Sequence, residues 1–279
     1  MRNALLLIGK DVVSHHVARS LLTISESLGV QIHLAMTPSP TSSLTSRPEV
    51  VQFLRQERRA GLEKRVADLA RIYGPDFHDT IDVNSNKARQ WIDTLKPLAV
   101  INFRGFQKFG RRTITHLNDG AIPLVNVHPA LLPNYRGLFS TLHAMAAGES
   151  LIGCTLHQID ANYDTGPILA TKSIQANYKI SVLANLRRLH GPALDLITDF
   201  LDRIQSGKSL DQGVSQRGQG DYFGFPDTDC LNPPTPTRRR VGQSRTSVAL
   251  ACLCIGKTLQ LPADSAVLLA QNPTQVPLC

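Results

Sequence analysis

The chain has 279 residues, of which 42% are hydrophobic, 5% aromatic and 19% charged, and its formal net charge is +8. A chain of this length buries roughly three quarters of the surface of its unfolded state, so its core needs neither disulfides nor a metal, and collagen, coiled-coil and disulfide-scaffold classes are excluded. The apolar runs are far shorter than the roughly 20 residues that cross a bilayer, and the first lacks a signal-peptide cleavage site. We therefore expect a cytoplasmic protein that does not enter a membrane.

Apolar strands alternate with amphipathic helices over the first 205 residues. The predicted strands cover residues 4–8, 30–35, 98–103, 124–127, 152–158 and 168–174, and the predicted helices cover residues 12–28, 50–72, 86–95, 138–147 and 182–205. This alternation is typical of an α/β fold in which a mostly parallel, twisted sheet carries helices on both faces. In such sheets, functional residues collect at the carboxyl ends of the strands.

The composition changes abruptly near residue 230. Residues 231–279 lack Phe, Tyr and Trp and carry five basic residues against one acidic residue, which is half of the net charge. A segment without aromatic anchors or sustained periodicity is typical of a poorly ordered tail, so we predict a folded unit over 1–229 and a tail over 230–279. We hypothesise that the tail is an aberrant terminus, such as the product of out-of-frame translation.

Two polar segments follow predicted strands. In the first, residues 126–137, Asn126 and His128 are two residues apart and therefore point to the same side of an extended backbone. The prolines at 129 and 133 restrict the backbone that follows, which would hold this pair in place. In the second, residues 157–167, a Gly-Pro turn can bring Asp164 close to another strand end, where its carboxylate can pair with an imidazole.

Together, the two segments resemble the folate-dependent formyltransferase family. The first reads Asn-x-His-Pro-x-Leu-Leu-Pro-x-Tyr-Arg-Gly, and the Asp of an Asp-Thr-Gly follows 38 residues after its Asn. The resemblance implies a Rossmann-like fold, 10-formyltetrahydrofolate as co-substrate, and formyl transfer to a primary amine of a small metabolite. It also implies that Asn126, His128 and Asp164 are catalytic, which makes the folded unit the catalytic domain.

The chemistry of formyl transfer agrees with these three residues. Transfer to an amine passes through a tetrahedral intermediate whose oxygen becomes negative, and Asn126 and a protonated His128 can donate hydrogen bonds to that oxygen. Asp164 beside His128 is expected to raise the pKa of the imidazole and keep it charged, and it can take the amine proton directly or through water.

The resemblance assigns further roles by position. The candidates for contact with the folate pterin, largely through backbone atoms, are Phe103, Arg104, Gly105 and Asp160. The candidates for substrate binding are Tyr135, Arg136 and His157. These three residues also have a structural interpretation. Tyr135 and Arg136 can simply shape their loop, and His157 can simply lie on a strand. The histidines of the chain lack the mutual spacing of metal ligands, so no metal site is predicted.

Differences between this sequence and three groups of the family limit the class of molecule that can accept the formyl group. The segment after the first strand lacks the Gly-Asn-Gly-Ser-Asn phosphate loop of the glycinamide ribonucleotide enzymes. Residues after 230 lack the strand alternation of the C-terminal barrel with which methionyl-tRNA formyltransferases grip tRNA. The N-terminal regulatory domain of the formyltetrahydrofolate hydrolases is not found either. The remaining group formylates small amines, including nucleotide-linked amino sugars. Residues 153–160 and 221–226 are most similar to enzymes of this group.

Three alternatives stay open from the sequence. They are an enzyme like the methionyl-tRNA formyltransferases, an enzyme like the formyltetrahydrofolate hydrolases, and a non-catalytic binding protein on the same scaffold. The intact set of Asn126, His128 and Asp164 favours an enzyme, because a binding protein has no need of all three. The expected partner is a small-molecule amine. Neither a membrane nor nucleic acid is expected as a partner, and the sequence does not fix the oligomeric state.

Overall fold

A computed structural model describes residues 1–9, 12–38, 77–180, 182–208, 212–218 and 220–224. Its strands are β1 (Arg2–Ile8), β2 (Val30–Met36), β3 (Phe77–His78), β4 (Val100–Phe103), β5 (Leu124–His128), β6 (Arg136–Gly137), β7 (Leu151–Gln158), β8 (Ile168–Gln175) and β9 (Tyr222–Phe223). Its helices are α1 (Val12–Ile24), α2 (Asn86–Leu95), α3 (Arg111–Asp119), α4 (Ser140–Ala146), α5 (Val182–Arg188) and α6 (His190–Gln205). The predicted helix over 50–72 and the predicted tail over 230–279 lie outside the described residues.

Seven strands form one sheet in the order β3-β2-β1-β4-β5-β7-β8. The five strands from β3 to β5 are parallel, whereas β7 is antiparallel to both β5 and β8. The prediction of a mostly parallel sheet is therefore confirmed. Because β2 and β4 flank β1 on opposite sides, the strand order reverses at β1, and such a reversal opens a crevice at the carboxyl ends of β1 and β4.

The side chains of β1 alternate between two cores. Ala4, Leu6 and Ile8 face one core, which α1, α4, α5 and α6 cover. Leu5 and Leu7 face the other core, which α2 and α3 cover. Helices therefore pack on both faces of the sheet, as predicted. Because both faces are covered, the central strands are apolar in nearly every position, and a polar side chain within them calls for a specific partner.

Helix boundaries follow the strength of the local signals. The helix predicted over 86–95 coincides with α2, where Ser85 accepts a hydrogen bond from the N–H of Ala88 at 3.1 Å and caps the amino end. Helix α3 was not predicted, because Thr113 and Leu117 are its buried residues and so narrow an apolar stripe gives a weak periodic signal. Within the described residues, no helix is long and apolar enough to cross a membrane.

The helix predicted over 182–205 is in fact two helices, α5 and α6, separated at Leu189. Pro192 lies in the first turn of α6, where the absence of its N–H costs no hydrogen bond of that helix. The helix predicted over 12–28 ends at Ile24, four residues early. Continuous apolar spacing across a helix end or a break hides the interruption from the periodic pattern.

Strands β6 and β9 form a separate two-stranded sheet. They pair in parallel, with Arg136 opposite Tyr222 and Gly137 opposite Phe223. Gly137 has a φ of +91°, and a Cβ atom at this position would lie 2.3 Å from the carbonyl oxygen of Phe223. A glycine is therefore needed for the two strands to approach. Neither strand was predicted, since two residues carry no periodicity.

Candidate active site

A row of three polar side chains crosses the apolar sheet. Asn102 on β4, Asn126 on β5 and His157 on β7 lie opposite one another in adjacent strands. Asn102 Nδ2 donates to Asn126 Oδ1 at 2.8 Å, and Asn126 Nδ2 lies 3.0 Å from His157 Nε2. His157 Nδ1 lies 2.8 Å from the carbonyl oxygen of Gln158. Because a carbonyl only accepts, Nδ1 donates to Gln158, and Nε2 is the ring nitrogen that faces Asn126.

The carboxylate of Asp164 closes this row from the loop between β7 and β8. Its Oδ1 accepts from Asn126 Nδ2 at 3.3 Å, and its Oδ2 accepts from the backbone N–H of Gly137 at 2.9 Å. His128 Nδ1 lies 3.5 Å from Oδ2, and His157 Nε2 lies 3.6 Å from Oδ1. The structure thus brings together Asn126, His128 and Asp164, the three residues that the sequence singled out as catalytic candidates.

His128 and Asn126 both reach Asp164, as their two-residue spacing on an extended strand predicts. Both are buried, with 4% and 8% of their surface exposed. His128 Nε2 lies 2.9 Å from the carbonyl oxygen of Tyr135, so this nitrogen carries a proton. In the neutral imidazole, the lone pair is therefore on Nδ1 and faces the carboxylate. A ligand N–H between Nδ1 and Asp164 would meet two acceptors.

Burial decides the charge of His128. It lowers the pKa of the imidazole from the ordinary value of 6.5, and the opposing effect of Asp164 does not offset it. The expectation that Asp164 keeps His128 charged is therefore wrong, because removing the cation from water outweighs the attraction of one carboxylate. Burial acts to raise the pKa of Asp164, but His128, His157 and the N–H of Gly137 together lower it below its ordinary value. At neutral pH, the pair is a neutral imidazole beside a carboxylate.

These side chains line a cavity of about 150 Å³ at the carboxyl ends of β4 and β5. The segment 104–109 after β4 forms one wall, and the segment 159–164 before β8 forms another. Phe106, Phe109 and Leu142 add apolar surface. A mostly apolar cavity with a few converging polar groups is the usual form of a small-molecule site.

Of the four residues predicted to contact a pterin, three line the cavity and one packs in the core. Arg104, Gly105 and Asp160 line the cavity, whereas the side chain of Phe103 packs in the core with 1% of its surface exposed. Phe103 can offer a ligand backbone atoms alone. Asp160 accepts from the hydroxyl of Thr165 at 2.7 Å and 2.8 Å, which ties its own loop together. Folate contacts by these residues stay predictions.

Tyr135 and Arg136, two of the candidates for substrate binding, do not line this cavity. The carbonyl of Tyr135 holds His128, and its hydroxyl donates to Glu149 at 2.7 Å. Arg136 donates from Nη2 to the carbonyl of Gly220 and lines a second opening. These contacts fit residues that shape a loop, but the second opening shares Tyr163 and Tyr222 with the cavity, and substrate binding by Tyr135 and Arg136 stays a prediction.

His157, the third candidate, lines the cavity with 2% of its surface exposed and touches Asn126 and Asp164. Its other ring nitrogen bonds to the carbonyl of Gln158, and a direct role in substrate binding stays a prediction. Asn102 was not predicted as a site residue. A signal was present in the sequence, because Asn102 interrupts the otherwise apolar strand at 99–103.

Two tyrosines and a lysine at the mouth of the cavity were also not predicted. Tyr163 and Tyr222 are 47% and 52% exposed, and their ring centroids lie 5.8 Å apart. The Lys108 ammonium lies 4.9 Å from the centroid of the Tyr163 ring. All three residues line the cavity. The mouth therefore offers aromatic surface beside a positive charge.

Strained backbone surrounds the cavity. Four residues other than glycine have φ between 53° and 57°, in the left-handed region, and they are Arg104, Tyr135, Phe139 and Asp164. Such conformations persist only where surrounding contacts fix them, and they cluster at functional sites. At Asp164, the fixing contacts include the hydrogen bonds of its own carboxylate to Asn126 and Gly137.

Two curated relatives match part of this chain. Over 155 residues it is 36% identical to a methionyl-tRNA formyltransferase of Treponema pallidum, covering 54% of this chain and 47% of that protein. Over 99 residues it is 32% identical to a GDP-perosamine N-formyltransferase of Brucella melitensis, covering 36% of this chain and 37% of that protein. The chain thus spans less than half of the length of these relatives.

A solved structure and a family profile complete the comparison. The fold is similar to that of a sugar N-formyltransferase from a Shewanella species, with a TM-score of 0.56, 17% identity, and coverage of 90% of this chain and 88% of that one. At this identity, the likeness concerns the fold alone. The sequence profile of the formyl transferase family matches residues 14–197, which is more than half of the chain and includes the row from Asn102 to Asp164. The chain therefore belongs to the formyl transferase family.

Proposed function

We propose that this chain transfers a formyl group from 10-formyltetrahydrofolate to a primary amine. Members of the family use this folate as formyl donor. The observation that carries the proposal is the convergence of Asn126, His128 and Asp164 on one cavity, where an amide N–H and an imidazole lone pair lie 3.3 Å and 3.5 Å from the same carboxylate. Acyl transfer to an amine uses a hydrogen-bond donor, a base and a group that stabilises the charged base.

The residues around the cavity fit a folate donor. Segments 104–109 and 159–164 both line the cavity, and their backbone N–H and C=O groups are candidates for hydrogen bonds to the edge of the folate ring. The buried Oδ1 of Asn102 adds an acceptor without a partner among the described residues. When bound, the donor supplies the formyl carbon attached to its N10 nitrogen.

His128 and Asp164 are suited to take the proton that the attacking amine must lose. An amine N–H placed between His128 Nδ1 and the Asp164 carboxylate can pass its proton to the Nδ1 lone pair. The imidazolium formed in this step lies beside the carboxylate, which stabilises its charge. His128 can then return the proton to the nitrogen from which the formyl group departs.

Asn126 is suited to stabilise the formyl oxygen as this atom gains negative charge. Its Nδ2 donates at 3.0 Å to His157 and at 3.3 Å to Asp164, and the longer bond is the one that a formyl oxygen can replace. One donor of this kind is worth about 3 to 4 kcal/mol in the transition state. Asn102 bonds the Oδ1 of Asn126 and so keeps this acceptor turned away from the formyl oxygen.

For the acceptor, we propose an amine on a small metabolite, with a nucleotide-linked amino sugar as the specific candidate. One relative, 32% identical over 99 residues, is a GDP-perosamine N-formyltransferase. Tyr163 and Tyr222 offer rings on which a base can stack, and Lys108 offers a charge for phosphates. Another relative is a methionyl-tRNA formyltransferase, so methionyl-tRNA is the acceptor against which the amino sugar must be tested.

The test is an assay of the full chain with 10-formyltetrahydrofolate and a panel of acceptors. The panel contains free amino sugars, nucleotide-linked amino sugars, amino acids and methionyl-tRNA. Tetrahydrofolate release and the mass of each acceptor are measured. We expect formylated product from nucleotide-linked amino sugars, with a higher kcat/KM than for the other acceptors.

The other outcomes of this assay are distinct. Product from methionyl-tRNA alone would contradict the small acceptor and keep formyl transfer. Formate release that needs no amine would identify a hydrolase. Folate binding without any release of formyl groups, across the whole panel, would contradict the enzyme and favour a binding protein.

A further inference from the structure

Asn102 carries a buried acceptor that no described residue satisfies. The side chain belongs to β4 and is 6% exposed. Its Nδ2 donates to Asn126 Oδ1 at 2.8 Å, but its Oδ1 has no hydrogen-bond partner among the described residues. Leaving such an oxygen unpaired destabilises the folded chain, so an unpaired acceptor in an otherwise satisfied row needs an explanation.

The orientation of Asn102 follows from the charge of Asp164. An ionised carboxylate only accepts hydrogen bonds, so the amide N–H of Asn126 must face Asp164. Asn126 Oδ1 then faces the other way, towards Asn102, and can be bonded only by the amide N–H of Asn102. Turning the Asn102 amide over would bring two oxygens together. The unpaired Oδ1 is therefore a consequence of the Asp164 charge.

The free oxygen lies at the cavity, under Gly105. Asn102 and Gly105 both line the cavity, and a Cβ atom on Gly105 would lie 2.2 Å from Asn102 Oδ1. The same Cβ would lie 3.0 Å from the hydroxyl oxygen of Thr37. The oxygen is itself buried beneath the Gly105 backbone, so a ligand N–H group can bond to it only if this backbone shifts. A carbonyl oxygen attracts an N–H or O–H group and repels a carboxylate or phosphate oxygen.

We propose that Asn102 has two separate functions in this site, both of which rest on the proposed formyl transfer. Its Oδ1 accepts a hydrogen bond from an N–H group of a bound substrate. Its Nδ2 holds the amide of Asn126 in the orientation that presents an N–H to the formyl oxygen. The amine acceptor and the ring of the folate donor both carry N–H groups, and the KM of each reports which one bonds to Oδ1.

Two substitutions separate the functions. Asn102→Leu removes both polar groups at similar volume, so we expect a 5- to 10-fold rise in the KM of one substrate and a fall in kcat of at least tenfold. Asn102→Asp keeps an oxygen at the ligand side but faces Asn126 Oδ1 with a second oxygen when ionised. Burial and the nearby carboxylate of Asp164 favour the protonated form, whose O–H can donate to Asn126 Oδ1. We therefore expect this variant to keep the KM of both substrates within about twofold of the wild type and to retain the kcat that Asn102→Leu loses.

A third variant acts on Asn102 Oδ1 through a neighbouring residue. Gly105→Ala places a methyl group against Oδ1 and is expected to raise the same KM as Asn102→Leu. The matched control is Asn185→Leu on α5, because Asn185 is buried and both ends of its amide are bonded, to the backbone of Asn177, at 2.9 Å and 2.8 Å. A loss of folded protein lowers the apparent kcat of the control and leaves its KM values unchanged.

The outcomes distinguish this inference from the proposed function. Active wild-type protein with unchanged KM values in Asn102→Leu and Gly105→Ala overturns the binding function of Oδ1. An Asn102→Leu variant with unchanged kcat overturns the function of Nδ2. Wild-type protein that neither turns over nor gains thermal stability with tetrahydrofolate overturns the proposed function itself, and the inference with it.

Discussion

In the proposed mechanism, the neutral state of His128 gives proton transfer a defined direction. Burial lowers the pKa of its imidazole, and the proton that remains is held on Nε2 by the carbonyl of Tyr135. Nδ1 is therefore ready to receive a proton beside the carboxylate of Asp164. This arrangement is that of a general base, whereas a charged imidazole would serve as an acid from the start.

The first prediction concerns pH. As a base, His128 must be neutral, so kcat with saturating substrates is expected to fall on acidification, with a midpoint below the ordinary value of 6.5. The pH profile of kcat is the suitable measurement because it reports groups within the enzyme–substrate complex, not the free amine. A kcat that instead falls as pH rises through this range would show that the charged imidazole is the active form.

The second prediction concerns Asp164. Asp164→Asn keeps the size of the side chain and an oxygen for the N–H of Gly137 but removes the charge that stabilises an imidazolium at His128. We expect kcat to fall by roughly 10² to 10⁴. Turnover is measured under conditions in which circular dichroism shows the variant to be folded.

A surface pair provides the control for Asp164. Asp93 Oδ1 lies 2.7 Å from His116 Nε2, and both side chains are partly exposed. Asp93→Asn therefore removes a carboxylate from an Asp–His pair far from the cavity lining, and kcat should not change. Near-normal turnover in Asp164→Asn would remove Asp164 from the proposed chemistry.

At the scale of elements, two histidines meet where α1 packs on α6. The ring centroids of His16 and His190 lie 4.1 Å apart, and His190 Nε2 lies 3.0 Å from the hydroxyl oxygen of Ser20. Burial, followed by the charge of His16, lowers the pKa of His190 to about 4, while Asp195 acts in the opposite direction. Burial and the charges of two arginines lower the pKa of His16. Both rings are therefore harder to protonate here than in water.

The third prediction is a loss of stability in acid. Since His190 has a lower pKa in the folded chain than in the unfolded chain, the unfolded chain binds more protons between pH 6.5 and about 4, and stability falls as pH falls through this window. Urea unfolding at pH 7 and pH 5 should show that wild type loses roughly 1 kcal/mol more than His190→Gln, after allowance for partial exposure. Equal losses in the two proteins would contradict the assignment.

The fourth prediction concerns the mouth of the cavity, to which β9 contributes Tyr222. Tyr222→Ala removes an exposed ring and leaves the backbone pairing of β9 with β6 in place. We expect the KM for a nucleotide-linked amino sugar to rise about tenfold and the KM for the free amino sugar to stay unchanged, because stacking on a base is lost. Leu151→Ala, another exposed apolar side chain, is the control. A rise in the KM of the folate donor alone would assign the ring to the donor.

For the molecule as a whole, the sequence predicted what depends on periodicity and motif. Apolar runs such as residues 4–8 predict strands that are buried on both faces. The two-residue spacing of Asn126 and His128 predicts that both side chains lie on the same side of their strand. The partnership of Asn102 with Asn126 depends on the register between β4 and β5, which a single sequence does not reveal. The neutral state of His128 depends on how deeply the fold buries it, which motif chemistry alone does not supply.

The fifth prediction concerns the boundary near residue 230, which rests on composition. Limited proteolysis of the full chain with trypsin should remove the tail first, at the arginines 238–240 or 245, and mass spectrometry should identify the shortened product. Formyl transfer should be unchanged in that product. Cleavage within 77–208 before any cleavage in the tail would contradict a folded unit over 1–229.

The pairing of β6 with β9 also sets when, during synthesis, the contacts of the Asp164 carboxylate can be completed. Asp164 accepts the N–H of Gly137, and Gly137 lies opposite Phe223, so the loop that fixes the carboxylate is complete only after residue 223 has been synthesised. The main sheet ends much earlier, with β8 at Gln175. At roughly 5 to 20 residues per second, the ribosome adds the intervening stretch over several seconds. All strands of the main sheet have therefore been synthesised seconds before the segment that completes the contacts of the Asp164 carboxylate.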